Sequence, residues 1–169
     1  MYKTIDTKQP NELLLLRQGW INPEFELTDK VYSYGKLTYN GILRRNAMAI
    51  AADNTWQFKF GPVFSRMLLI TDQSGAIIGE TKRKFFSRSR TLTLQNGFLA
   101  KFYRPSIWSR EWVWESAEYG VIIRMKSYPL QFKDKIATEQ SMAPAALIPL
   151  LIFLGAHLII LERRRRAAR

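Results

Sequence analysis

The most constraining feature of this sequence is an apolar segment from Ala145 to Leu161, which the arginines 163–166 follow. The segment places leucine, isoleucine and phenylalanine on every side of a helix, whereas a surface helix keeps one polar face. Such a helix either spans a membrane or fills the centre of a protein. Its 17 residues would extend about 25 Å as a helix, which is the lower limit for a membrane span.

Two observations favour the protein interior. His157 lies within the segment, and a polar ring is costly in lipid. A C-terminal span after a cytoplasmic domain would also carry the arginines across the membrane, against the positive-inside rule. We therefore expect a central hydrophobic helix with a basic tail over residues 143–166. The alternative is a tail-anchored, single-pass membrane protein with a small cytoplasmic β domain and a span from Ala145 to Leu161.

Residues 31–136 carry strand and turn signals without a helical period. Trp56, Phe58 and Phe60 alternate with polar residues, which is typical of a strand with one buried face. Turn pairs such as Asn40-Gly41 and Asn96-Gly97 separate neighbouring runs. The pattern indicates eight to ten antiparallel strands, in a sandwich or barrel. A barrel with more than about eight strands encloses space that a helix can fill.

A hairpin pattern relates this chain to a known family. In Met67 to Gly79, the turn Asp72-Gln73-Ser74-Gly75 joins two strand-like runs, and this is similar to the D-x-x-G hairpin of LURP-one-related proteins. Together with the apolar helix, it makes residues 31–162 resemble the tubby C-terminal domain superfamily, which also includes the phospholipid scramblases. The resemblance implies a closed barrel of about twelve strands around a C-terminal helix. Calcium dependence and scramblase activity are not carried over, because the chain lacks an acidic calcium loop and a cysteine-rich segment.

Pattern and resemblance together predict a mainly β fold. We expect one domain over residues 1–169, built as a closed antiparallel β-barrel of about 10–12 strands surrounding the hydrophobic C-terminal helix. Residues 1–30 form an N-terminal segment, and residues 31–136 supply the barrel strands.

One basic run is the candidate binding site. Its cations are Lys82, Arg83, Lys84, Arg88 and Arg90, and two phenylalanines lie among them. We expect an exposed hairpin tip that suits an anionic membrane surface, with cations on headgroups and rings in the interface. The alternative is that this run is a solvent-exposed turn with no binding role. Nucleic acid is not an expected partner, because the net charge of +12 permits it but no recognition motif supports it.

The remaining composition argues against catalysis. The chain has one histidine and no cysteine, and it carries no phosphate loop or catalytic motif. Asp53, Asp72 and Asp134 are interpreted as isolated turn acids, so we expect no metal and no cofactor. Trp112 and Trp114 alternate along one strand and should pack in the barrel.

The function expected from the sequence is therefore a non-catalytic, tubby-like barrel that binds an anionic lipid surface or a protein partner. The early apolar run, residues 13–16, is too short for an export signal. We therefore expect a cytoplasmic protein, peripheral to a membrane if it binds lipid.

Overall fold

Strand-length runs with alternating burial account for most of the chain. The computed structural model describes residues 1–6, 12–19, 23–40, 45–61, 66–83, 89–128, 133–138 and 143–168. These residues form twelve strands and one helix. The elements are β1 (Glu12–Gln18), β2 (Glu24–Thr28), β3 (Ser33–Asn40), β4 (Asn46–Ala51), β5 (Thr55–Phe60), β6 (Met67–Thr71), β7 (Ile77–Arg83), β8 (Arg90–Leu94), β9 (Leu99–Tyr103), β10 (Glu111–Ser116), β11 (Gly120–Tyr128), β12 (Lys133–Thr138) and α1 (Leu147–Ala167).

The strands close into an antiparallel barrel. Each strand pairs with the next in sequence, and β1 pairs with β12 with Leu13 opposite Ile136. The predicted fold class is thereby confirmed. The barrel begins earlier than the expected residue 31, however, because β1 and β2 both lie in the segment 1–30 and complete the wall.

The hairpin that carries the family resemblance forms as predicted. Asp72 Oδ1 accepts hydrogen bonds from the backbone N–H groups of Ser74 at 2.8 Å and Ala76 at 3.1 Å. Gly75 adopts a φ of 84°, which glycine reaches at little cost. The hairpin between β3 and β4 differs from expectation. Asn40 pairs with Asn46, so a longer connection replaces the two-residue turn, and its residues 41–44 lie outside the described part of the chain.

The apolar helix α1 lies inside this barrel. All residues from Leu150 to Ile160 are buried, which explains why the segment has no polar face. The predicted central helix is confirmed, although it begins at Leu147 rather than at residue 143. The alternative span from Ala145 to Leu161 is not what the structure shows, because the barrel wall surrounds the helical part of that segment.

No helix in the described part of the chain has both the length and the hydropathy needed to cross a membrane.

A partly buried ion pair fixes the end of the helix to the barrel. Arg163 Nη2 lies 2.6 Å from Asp134 Oδ1, and it also donates to the Ser127 hydroxyl. The same carboxylate oxygen accepts the Tyr128 N–H at 3.1 Å. Asp134 is therefore not an isolated turn acid. It is a buried residue of β12 that joins α1 to the last two strands.

Two glycines allow the helix and the wall to approach closely. A Cβ on Gly35 would lie 2.3 Å from the Ile50 carbonyl oxygen and 2.9 Å from the Phe153 ring. A Cβ on Gly155 would lie 2.6 Å from Met125 Sδ and 2.8 Å from Trp114 Nε1. The interior is therefore packed around the helix backbone itself.

This packing predicts whether Gly155→Ala raises or lowers the stability of the protein. In an exposed helix, Gly155→Ala would stabilise by about 1 kcal/mol through helix propensity. Inside the barrel the added methyl overpacks against Trp114 and Met125, which costs about 1–3 kcal/mol. We expect urea unfolding to show a net loss of stability. A more stable variant would contradict the packing described here.

Candidate functional site

The barrel end from which α1 emerges is strongly basic. Antiparallel order places the end of β7, the start of β8 and the end of β9 together at this end. We call the cluster formed there the arginine mouth. Its members are Arg83, Arg90, Arg104, Arg165 and Arg166.

Strand alternation aims two of these arginines inward. Gly79 and Thr81 of β7 face the interior, so Arg83 follows them on the same face. Leu92 and Leu94 of β8 also face the interior, and Arg90 precedes them on that same face. Arg83 and Arg90 are paired partners across the two strands. Their guanidinium groups therefore lie at the rim of the interior rather than on the outer wall.

The arginine mouth encloses a cavity of about 620 Å³. Phe102, Trp112 and Leu158 give it an apolar floor, and Glu162 is the acidic side chain among its described lining residues. A neighbouring cavity of about 430 Å³ shares Arg90 and Arg165. Both cavities therefore combine an apolar base with an excess of guanidinium groups.

Glu162 offsets only part of this charge. Its carboxylate lies 3.8 Å from Arg83 Nη1 and 3.4 Å from Arg166 Nε. Five arginines and one glutamate among the described lining residues leave a net charge of 5 − 1 = +4. The cavity is consequently an environment that favours an anion.

The pKa of Arg90 is shifted by its surroundings in this cluster. Burial, reinforced by the charges of Arg83 and Arg165, lowers its pKa to about 10. Arg90 Nη1 donates to Thr81 Oγ1 at 3.3 Å and to the Arg66 carbonyl at 3.4 Å. Arg90 therefore remains charged at neutral pH. A bound anion would offset the repulsion between Arg90 and the neighbouring Arg83 and Arg165.

The predicted basic run is divided by the structure. Arg83 and Arg90 are half-buried in the arginine mouth, so the expectation that they are exposed tip cations is wrong. Lys82 is exposed on the outer face and pairs with Glu80. Lys84 and Arg88 lie outside the described residues. The exposed hairpin tip therefore stays a prediction for residues 84–88.

Sequence reasoning missed several contributors to the cavity. Trp114 is buried as predicted, whereas Trp112 is half-buried and forms part of the floor, stacked on Phe102 at 5.1 Å. Arg104 comes from the connection after β9, and Arg165 from the helix end. Arg90 alternates in step with the apolar Leu92 and Leu94, and this spacing could have predicted that Arg90 faces the interior. Nothing in the linear pattern joins Arg104 to the helix.

The opposite end of the barrel has the reverse charge. The described turns there, which precede β3, β5, β7 and β11, contain Asp29, Asp53, Asp72 and Glu118, with Lys30 as their cation. The protein therefore has a charge asymmetry along the barrel axis, with the arginine mouth at its positive end.

His157 belongs to the core rather than to this site. Its ring is fully buried, stacks on Phe58 at 5.6 Å, and shares a 3.0 Å hydrogen bond between Nδ1 and the Tyr39 hydroxyl. His157 therefore lies inside the barrel, as expected for a residue of the central helix. Burial, together with the charges of Arg164 and Arg90, lowers the pKa of His157 to about 3.

No family model, curated protein or solved structure matches this chain. In the described ranges, no group of three histidine, aspartate or glutamate side chains is placed to hold a metal ion.

The buried histidine predicts a pH dependence of stability. The unfolded chain binds a proton near pH 6.5, whereas folded His157 stays neutral down to about pH 3. The contribution of His157 to the free energy of unfolding is therefore fully present above pH 6.5. It is lost by about 1.4 kcal/mol per pH unit as the pH falls below that value. We expect His157→Leu to flatten the pH profile of urea unfolding between these values.

The same variant should still fold. It leaves the Tyr39 hydroxyl without its histidine partner, at about 1–3 kcal/mol, and apolar burial offsets part of this cost. Tyr39→Phe is the matched control, because it removes the hydrogen bond and keeps the buried ring. Equal pH profiles for the wild type and His157→Leu would refute the assignment.

Proposed function

We propose that this protein is a non-catalytic, tubby-like barrel that binds an anionic lipid surface with the end where its helix emerges. The observation that carries the proposal is the arginine mouth, a cavity at one pole of the barrel whose described lining residues carry a net charge of +4. Arginine forms bidentate hydrogen bonds with phosphate groups, which lipid headgroups present.

The charge asymmetry supports a defined orientation. An anionic surface attracts the basic end and repels the turns that carry Asp29, Asp53 and Asp72. Arg165 and Arg166 are exposed on the last turn of α1, at the edge of the cavity that they line. Each cation near an anionic membrane contributes about 1 kcal/mol to attachment.

A surface fits the site better than an enzymatic substrate does. The buried histidine packs against Phe58 and Tyr39 in the barrel core, and it is not among the described residues that line either cavity. The cavity walls supply guanidinium groups and aromatic rings, which bind and orient an anion. These side chains support a binding role.

Charge removal at the helix end tests the proposal. Arg165→Gln with Arg166→Gln should weaken binding to phosphatidylserine-containing vesicles by about 30-fold, since two cations contribute about 2 kcal/mol. The melting temperature should change little, because both side chains are exposed. Sedimentation with the vesicles measures the affinity.

The matched control removes two charges from the opposite end. Lys3→Gln with Lys30→Gln leaves the same net charge, and both side chains are exposed. Lys3 lies at this opposite end, because its backbone N–H donates to the carbonyl of Ser33 at the start of β3. We expect near wild-type binding from this control. Equal losses in the two double variants would indicate unspecific attraction by net charge. Wild-type protein that ignores anionic vesicles at low salt would refute lipid binding and favour the alternative, a protein partner.

A further inference from the structure

The connection between β9 and β10 presents an apolar tip beside the arginine mouth. Trp108 is 87 % exposed and Ile107 is 53 % exposed. Among the described large apolar side chains, only the terminal Met1 is more exposed than Trp108. An exposed indole of this size costs solvation free energy, and no packing within the barrel offsets it.

Hydrogen bonds within the connection hold the tip in place. Arg104 Nε donates to the Ser109 carbonyl at 3.0 Å, and Arg104 Nη2 donates to the Ile107 carbonyl at 3.1 Å. The Trp108 N–H donates to the Ser106 hydroxyl at 3.1 Å. Arg104 thus cross-links the backbone on both sides of Trp108. The Trp108 indole is therefore exposed on a turn that hydrogen bonds hold in one conformation.

The tip and the cations share one end of the molecule. Ile107 lines the same cavity as Arg83 and Arg90. Arg104 links the two features directly, because its guanidinium lies 5.4 Å from the Trp112 ring in the cavity floor while it holds the tip. An apolar tip beside cations suits the boundary between headgroups and acyl chains, where tryptophan is favoured.

We propose that the connection 104–110 is a membrane anchor that inserts Ile107 and Trp108 into the lipid interface while the arginine mouth binds the headgroups. This inference rests on the proposed function and adds an apolar component to it. A lipid surface fits better than a protein surface. Two protruding side chains offer far less area than the roughly 800 Å² per partner of a stable protein interface.

Vesicle binding by tip variants tests the anchor. Trp108→Ala should lower the affinity for phosphatidylserine-containing vesicles about tenfold or more, because a buried aromatic ring contributes on this scale. Leu99→Ala is the matched control, since Leu99 is 56 % exposed at the other end of the barrel. It should bind as the wild type does. High salt should remove the binding of Trp108→Ala completely and leave part of the wild-type binding, because salt screens charges and not apolar contacts.

Fluorescence provides a second readout that does not depend on affinity. Wild-type emission should shift to shorter wavelength on adding the vesicles, and Trp108→Phe should bind without that shift. Trp108→Ala that binds as tightly as the wild type, with an unchanged emission shift, would overturn the anchor and leave lipid binding intact. A wild type that does not bind these vesicles would overturn both proposals.

Discussion

A closed barrel of twelve strands encloses more space than its inward side chains can fill, since about eight strands is the size at which side chains alone suffice. The hydrophobic helix fills that space. Because wall residues surround it, the positions from Leu150 to Ile160 are apolar or small except His157, whose Nδ1 is hydrogen-bonded to the Tyr39 hydroxyl. The barrel and the helix therefore each bury the surface that the other would expose, and the remaining features of the protein follow from this packing.

The helix also determines the chemistry of the barrel end where it emerges. It is buried up to Ile160 and then carries Glu162 and the arginines into the rim. The pair between Arg163 and Asp134 fixes this end against β12. Arg165 is thereby held near Arg90, and the two repel one another. A structural element of the core thus forms part of the candidate binding site.

Sequence pattern was sufficient for the architecture and insufficient for the site. The all-round apolar segment and the alternating runs predict a barrel around a helix, and the structure confirms it. β1 was missed because the four leucines 13–16 do not alternate, and half-burial of Leu14 and Leu16 explains this pattern. β2 does alternate, because Glu24 and Glu26 precede the apolar Phe25 and Leu27 in turn, so the sequence is enough to predict it. The arginine mouth joins residues from β7, β8, the β9–β10 connection and α1. Only the closed barrel brings these together.

Hydrogen exchange of backbone amides tests most directly whether the helix is the core of the barrel. If it is, the amides from Leu150 to Ile160 are released only by global unfolding. They should then show the same opening free energy as the most protected amides of β10 and β11, which pack on the helix. Helix amides that exchange readily while those strands remain protected would contradict the account.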